Sequence, residues 1–280
     1  RVYNLVCKIK KALDFYYAKK GDENMQKLTM NDCSKRKLED IYLVIYAIRN
    51  EVNIKKGEYI EKEDIYTLVG VDKKGFRTLI NVYADRKNNN RYWLDIFENL
   101  KARGIKHILF LSVDDNKNMK RSAKVAFPNV VFIDSLTNIM PKFYKFSYER
   151  NAREIGSKLC CLYIQKTNTD FKEAFKNFKE RYNNVIHQKL IEKYLTNIES
   201  LYKYSVNIRK LLFRHSANIY LYDRIRLNFN SQKNYINSLD EVYDKLGSME
   251  DYFGFTSFKK NEWILMLNDL IQLYPDLELI

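Results

Sequence analysis

The sequence predicts an α/β fold in which helices pack against a mixed β-sheet. Three short runs rich in apolar and β-branched residues come first, at 41–48, 65–71 and 78–84. Helical and strand-like segments then alternate up to residue 134, and almost all of the remaining chain has helical periodicity. Hairpins followed by β-α-β units imply that antiparallel and parallel strands share one sheet.

The first three strands are predicted to pair as antiparallel neighbours. The turn Lys73-Lys74-Gly75 separates the second run from the third, which is typical of a hairpin. Three further elements follow from periodicity: a helix over 91–103 that Gly104 ends, a buried strand over 107–113, and a helix over 117–127. A short strand at 130–133 completes the predicted sheet.

The charge of the chain favours a polyanionic partner. Lys and Arg total 49 residues against 35 Asp and Glu, which gives a net charge of +14. This balance excludes an acidic solvating protein, and nucleic acid is the commonest polyanion that basic proteins bind. The abundance of Lys, Asn, Ile and Tyr is also typical of an AT-rich genome, so codon usage remains an alternative source of part of the lysine excess.

Cysteine usage predicts reduced thiols and a cytoplasmic protein. The four cysteines form no C-x-x-C pair and lie apart from the three histidines in the sequence, which argues against a zinc site. No apolar run is long enough to span a membrane. The first residue is Arg1 rather than Met, so we expect that a natural N-terminal part precedes it.

Several blocks resemble the Mutator-type transposases of bacterial insertion sequences. The turn at 70–75 resembles the family's G-v-n-x-d-G, and 92–105 resembles its f-W-l…L-k-x-R-G-v helix. The segment 111–128 resembles v-x-s-D-g…a-v-F-P, the segments 152–163 and 172–174 resemble the helical insertion, and 208–210 resembles I-R-K. The resemblance implies a ribonuclease H-like fold, an Asp-Asp-Glu triad that binds two divalent metals, and DNA as the partner.

The chain divides into four predicted segments. Its basic, helical pattern marks an N-terminal segment at 1–38, which the resemblance does not cover. The resemblance implies the first part of a ribonuclease H-like core at 39–136, a helical insertion at 137–205, and C-terminal helices of the core at 206–280.

The sequence departs from the family where the catalytic residues would lie. The first Asp of the triad falls on Val44, the second on Asp114, and the Glu on Ile219. The family's Q-x-C-x-x-H segment is also lost, because its three positions hold Phe132, Asp134 and Thr137.

Two other carboxylates are candidate replacements for the missing ones. Asp40 precedes Val44 by about 13 Å of extended strand, which is too far to share a metal pair. Asp223 lies about 6 Å along a helix from Ile219, so a displaced ligand there remains an alternative to a surface ion pair.

Asp114 and Asp115 directly follow a predicted strand. Carboxylates at that place are suited to capping the next helix, or to holding one weakly bound Mg²⁺ that keeps most of its waters. Both readings stay open at this point, and we expect either no cofactor or weakly bound Mg²⁺.

The C-terminal half carries cations interleaved with tyrosines, a pattern suited to DNA phosphates. A solvated helical face with tyrosines in the core is the alternative. The predicted DNA-contacting residues are Lys203, Arg209, Lys210, Arg214, Arg224 and Arg226.

These observations predict a transposase-derived, DNA-binding protein of the nucleoid that lacks catalytic activity, with a homodimer as one candidate oligomeric state. A working divergent transposase built on Asp114 and a protein-interaction scaffold that does not bind DNA are the two alternatives.

Overall fold

A computed structural model describes residues 30–85, 89–134, 154–155, 158–159, 161–182, 192, 196–212, 235–247, 253–255 and 258–279. Its centre is a six-stranded sheet in the order β5-β4-β1-β2-β3-β6. The strands β1 (Ile41–Lys56), β2 (Tyr59–Asp72) and β3 (Phe76–Ala84) form an antiparallel meander. The strands β4 (His107–Val113) and β5 (Val131–Asp134) add in parallel on the other side of β1.

The first hairpin is longer than its apolar runs predict. Pairing continues from Ile48 to Lys56 on β1 and back from Tyr59 on β2, with Gly57 at a φ of 64° in the turn. Over 49–54 on β1 every second residue is buried, but the alternating polar residues interrupt the apolar run. The continuous apolar run therefore marks only the first half of β1.

Two helices cover one face of the sheet. An N-terminal helix, α1 (Met30–Lys35), precedes β1, and α2 (Asn90–Ala102) and α3 (Lys117–Ala126) lie between the later strands. Trp93, Phe97 and Leu100 of α2 pack with Met119 of α3 onto apolar side chains of the sheet. The predicted helices at 91–103 and 117–127 are confirmed within a residue.

A second core lies on the opposite face of the sheet. It joins Val44, Tyr46 and Phe110 to helical side chains that include Ile208 and Leu211. The Tyr46 hydroxyl donates a hydrogen bond of 2.6 Å to the carbonyl oxygen of Leu211. The segment around 206–212 is thereby attached directly to the sheet.

The C-terminal half contains more than helices. Its helices include α4 (Asn168–Tyr182), α5 (Val206–Leu212), α6 (Asp240–Gly247) and α7 (Lys260–Leu273). The strand β6 (Gly254–Phe255) pairs with β3, and Ile236 bridges to Ile54 at the far end of the hairpin. The expectation that the chain after residue 134 is almost wholly helical is therefore wrong in these two places, where backbone pairing with the sheet outweighs helical periodicity.

The β2–β3 turn fixes one end of the sheet. The Asp72 carboxylate accepts hydrogen bonds from the backbone N–H groups of Lys74 (2.8 Å) and Phe76 (2.9 Å). Gly75 has a φ of 86°, and a Cβ built there would lie 3.1 Å from the ring of Trp263 on α7. Glycine is needed at this position both for its backbone conformation and for the space under the indole.

Taken together, an antiparallel β1–β2–β3 meander, the parallel additions of β4 and β5, and helices on both faces confirm the predicted α/β class. The fold is the ribonuclease H-like mixed sheet with flanking helices that the family resemblance implies. The described part of the N-terminal segment packs on this core, because Cys33 and Leu38 are buried and Arg103 donates to the carbonyl oxygens of Cys33 and Arg36.

Candidate functional site

Asp114 lies at the carboxyl end of β4 and is only 9% exposed. The Tyr66 hydroxyl of β2 lies 3.2 and 3.1 Å from its two carboxylate oxygens. The backbone N–H of Asn116 donates to the same carboxylate at 3.1 Å. These contacts place Asp114 inside a hydrogen-bonded network rather than at an open edge of the sheet.

A guanidinium group faces this carboxylate. Arg49 of β1 lies 3.5 Å from Asp114 and 2.7 Å from Asp64 of β2, measured from guanidinium nitrogens to carboxylate oxygens. Partial burial opposes the charge of Arg49, but the hydrogen bond and Coulomb attraction to Asp64 outweigh it and raise the pKa of the guanidinium. Arg49 is therefore a fixed positive charge beside two carboxylates.

Burial has the opposite consequence for Asp114. Removal from water raises the pKa of its carboxyl group, and the Asn116 N–H and the charge of Arg49 counteract this only in part. The group depends on its hydrogen-bond donors, because an ionised carboxylate in a buried position is costly without them.

The network continues through Asn116. Its side-chain amide donates to the Tyr66 hydroxyl (3.2 Å) and to the Asp85 carboxylate (3.0 Å), and the indole N–H of Trp93 also donates to Asp85 (3.2 Å). The Asn116 side-chain oxygen accepts from the Met119 N–H at 2.9 Å and caps α3. The prediction that Asp114 or Asp115 caps this helix is wrong, because the helix starts at Lys117 and its cap is Asn116. The Asn116 amide can cap the helix with its oxygen and donate to Asp85 with its nitrogen.

Val44 does not lie beside Asp114. Its partner on β4 is Phe110, four residues before Asp114, and Val44 belongs to the core on the other face of the sheet. The β1 side chain that does reach Asp114 is Arg49. Asp40 precedes β1 and is 3.7 Å from Lys73, at the other end of that strand.

The last strand ends beside the network. Asp134 pairs in register with Val113, accepts a hydrogen bond from the Asn197 side chain, and lies 3.5 Å from the ammonium group of Lys120. Phe132 and Asp134 line a small cleft of about 70 Å³ together with Tyr163 and Asn197. Thr137, Ile219 and Asp223 lie outside the described residues.

The donors present do not fit a pair of divalent ions. Within the described ranges, no three or more His, Cys, Asp or Glu side chains are grouped so as to hold a metal. Asp115 is exposed beside the buried Asp114, and the groups nearest the Asp114 carboxylate are hydrogen-bond donors and a guanidinium. A guanidinium cation and two hydrogen-bond donors, the Tyr66 hydroxyl and the Asn116 backbone N–H, are the opposite of the oxygen ligands that Mg²⁺ requires.

The predicted DNA-contacting residues have different surroundings. Lys203 is exposed over the Tyr204 ring, and Lys210 lies 3.3 Å from Glu262. Arg209 is 2% exposed, and its guanidinium donates to the carbonyl oxygens of Tyr163, Tyr204 and Gln165. Assigning Arg209 to a DNA-contacting face is therefore a mistake, because its donors serve buried carbonyls. Arg214, Arg224 and Arg226 lie outside the described residues.

Sequence reasoning missed most of the network around Asp114. No local motif joins its residues, which come from four separate places in the chain: Arg49 from β1, Asp64 and Tyr66 from β2, Asp85 after β3, and Asn116 after β4. The one available signal was the alternation along β1, which places Arg49 on the same face as Ile45 and Ala47.

Comparison with known proteins agrees with this fold. The model of the Mutator family of transposases matches residues 21–263. The transposase for insertion sequence element ISRM3 of Rhizobium meliloti is 18% identical over 191 residues, which cover 67% of this chain and 48% of that protein. The transposase for insertion sequence element IS1201 of Lactobacillus helveticus is 28% identical over 107 residues, which cover 38% of this chain and 28% of that protein.

A probable insertion-sequence transposase of Corynebacterium diphtheriae is 19% identical over 144 residues, 51% of this chain and 42% of that protein. The chain thus spans about half or less of the length of these curated relatives. Among the described residues, no helix is both long and apolar enough to cross a membrane. Since the family model matches most of its length, and the sheet order is consistent with that match, the chain belongs to the Mutator family of transposases.

Proposed function

We propose that this chain is a transposase-derived protein that binds duplex DNA and does not catalyse metal-dependent strand transfer. The observation that carries the proposal is the Arg49 guanidinium 3.5 Å from the Asp114 carboxylate, the one triad position that keeps its acid in this sequence. Two-metal catalysis requires several carboxylates to share the charge of two cations. At Asp114, the guanidinium that also pairs with Asp64 already lies against the carboxylate, so a metal ion would have to compete with it.

The hydrogen bonds around Asp114 support the same conclusion. Its oxygens accept from Tyr66 and from the Asn116 backbone, and Asn116 is in turn held by capping α3. A metal at Asp114 would have to displace Arg49 and break these bonds. Hydrogen-bond networks in which every group has a partner are stable. We therefore expect the free energy lost by breaking this network to exceed the free energy gained when a metal binds to one carboxylate.

Catalysis is tested with supercoiled DNA and with DNA that carries free ends, each incubated with Mg²⁺ or Mn²⁺. We expect neither cleavage nor joining above the background of an Asp114→Ala variant. Cleavage by the wild-type chain that Asp114→Ala abolishes would contradict the proposal.

DNA binding is tested by measuring duplex affinity over a range of salt concentrations. The net charge of +14 supports binding through phosphates, whose affinity falls linearly on a log–log plot with a slope of about −0.9 for each phosphate neutralised. We expect a slope of about −3 or steeper, and a nucleoid-associated location in the cell. Absence of binding, or binding that salt leaves unchanged, would instead favour a protein-interaction scaffold.

A working divergent transposase is the second candidate, and one observation favours it. Two further carboxylates contact the residues that surround Asp114. Asp64 lies 2.7 Å from the Arg49 guanidinium, and Asp85 lies 3.0 Å from the Asn116 side-chain amide. On this reading Arg49 would move aside when metal binds. The cleavage assay decides between the two candidates, and Asp64→Asn and Asp85→Asn would then identify the metal-binding acids.

A further inference from the structure

The helix α3 carries an excess of positive charge that its own residues do not offset. Its ten residues include Lys117, Lys120, Arg121 and Lys124, and no Asp or Glu. These four cations follow the spacing i, i+3, i+4 and i+7, which places them along one side of a helix. The residues Met119, Ser122, Ala123 and Ala126 form the buried side.

The neighbouring helix α2 shows that the excess is a property of α3 and not of the whole surface. On α2, Arg91 pairs with Asp95 at 3.0 Å and Lys101 pairs with Glu98 at 3.5 Å. The Ser122 hydroxyl donates to the Asn90 carbonyl, so the two helices are packed side by side. Of these two adjacent helices, α2 balances its positive charges with its own acidic residues, and α3 does not.

Two cations of α3 are directed to solvent. Lys120 lies 3.5 Å from Asp134, and the Lys124 ammonium donates to the Val130 carbonyl at 3.2 Å. Lys117 and Arg121 are exposed, and neither forms an ion pair within the part of the chain that the structure describes. Val125, which is 67% exposed, lies on the same outer side.

The geometry of this surface suits a nucleic-acid backbone. Seven residues separate Lys117 from Lys124, which is about 10 Å along the helix axis. Duplex DNA presents one negative charge for about every 1.7 Å of its axis, so several phosphates lie within that length. The helix also begins three residues after Asp114, at the carboxyl edge of the sheet.

We propose that the exposed side of α3, centred on Lys117 and Arg121, contacts the phosphate backbone of duplex DNA. The proposal rests on the DNA binding proposed above and assigns it to residues other than those predicted at 203–226. The contacts are electrostatic and independent of base sequence, because Lys and Arg that reach only phosphates carry no sequence information.

A pair of double variants tests the proposal at constant net charge. Lys117→Gln with Arg121→Gln removes two cations from α3, and Arg91→Gln with Lys101→Gln removes two cations from α2. We expect the α3 variant to bind duplex DNA about tenfold more weakly or worse at 0.1 M salt, with a log–log slope shallower by about 1.8. The α2 variant should keep an affinity and a slope close to those of the wild type, although it has lost the same two positive charges as the α3 variant.

A variant that adds a positive charge separates an effect on phosphate contacts from an effect on folding. Val125→Lys adds a cation to the same outer side, and we expect its slope to steepen by about 0.9 while its unfolding transition is unchanged. An α3 variant indistinguishable from the α2 variant would overturn this proposal and leave DNA binding itself intact. A wild-type chain that does not bind DNA would overturn the proposed function, and a preference for duplex RNA of equal length would overturn DNA as the ligand of α3.

Discussion

Each oxygen of Asp114 has a partner supplied by the protein. Tyr66, the Asn116 backbone and Arg49 surround the carboxylate, and its burial makes these partners necessary. A residue in such surroundings stabilises the end of β4 and the start of α3. In this account the acid persists at the family position because the fold uses it.

Substitutions of Asp114 separate a structural role from a catalytic one. Asp114→Ala leaves the Asn116 N–H and the Tyr66 hydroxyl without their acceptor, so we expect the free energy of unfolding to fall by about 2 kcal/mol. Asp114→Asn keeps an oxygen acceptor and should cost less than about 1 kcal/mol. Chemical unfolding measures both. An alanine variant more stable than the wild type would indicate a carboxylate kept for function at the expense of stability.

Asp72 gives the fold a pH dependence of definite sign. Burial raises the pKa of its carboxyl group from 3.8 to about 6, against the hydrogen bonds from Phe76 and Lys74. Between these two pH values the folded state retains a proton that the unfolded state has released, so stability falls as the pH rises from about 4 through about 6. At about 1.4 kcal/mol for each pKa unit, the loss is at most about 3 kcal/mol.

The matching experiment compares Asp72→Asn with the wild type at pH 4 and at pH 7. The amide keeps an oxygen for the turn but cannot ionise, so we expect the variant to be the more stable protein at pH 7 and the difference to shrink towards pH 4. Asp95→Asn, on the exposed side of α2, is the control. A difference that does not vary with pH would contradict this role of Asp72.

At the scale of elements, the β2–β3 turn and α7 depend on each other through Gly75. Gly75→Ala forces a Cβ into a φ of 86° and within 3.1 Å of the Trp263 ring. Gly57→Ala meets a similar φ of 64° with no atom within 4 Å. We expect a loss of about 1 kcal/mol for Gly57→Ala and about 2–3 kcal/mol for Gly75→Ala in urea unfolding. Equal losses would show that the indole does not constrain the turn.

The elements that the sequence predicted share a physical property. β4, α2 and α3 are continuous in their periodicity, because each is buried along an uninterrupted strip. The outer half of the β1–β2 hairpin, the bridge at Ile236 and the two-residue strand β6 were not predictable in the same way. In the outer half of the hairpin, exposed polar residues interrupt the apolar run. The bridge at Ile236 and β6 are held by backbone pairing to residues far away in the chain, and local patterns carry no information about such partners.

The residues of the candidate site were likewise predictable where a local pattern marks them and not where a distant contact does. Asp114 was identified because it comes directly after a buried strand within a recognisable block of residues. Arg49 was not, since its approach to Asp114 depends on the register between β1 and β4 and on the long pairing of β1 with β2. The burial of Arg209 was hidden for a similar reason, because its acceptors at Tyr163 and Gln165 precede it by more than 40 residues.

At the scale of the whole molecule, Arg209 holds separate helical segments together. Its guanidinium binds three carbonyl oxygens and lies 4.0 Å from the centre of the Tyr202 ring. Arg209→Met leaves those carbonyls unpaired, so we expect unfolding to become easier by about 3 kcal/mol or more.

The salt slope of DNA binding by the folded Arg209→Met protein should not change. Lys203→Gln is the comparison, and it should leave stability unchanged and make the slope shallower by about 0.9 if Lys203 contacts a phosphate. A shallower slope for the Arg209 variant would return that residue to the DNA-contacting set.

Whether this member of the Mutator family can hold a catalytic metal depends on which cation lies against Asp114. A crystal of the chain soaked in Mn²⁺ measures this directly, because the anomalous signal of manganese locates a bound ion independently of the protein density. We expect no manganese peak within about 3 Å of the Asp114 carboxylate and the Arg49 guanidinium still within 4 Å of it. A manganese ion bound to Asp114, with Arg49 displaced, would contradict the account.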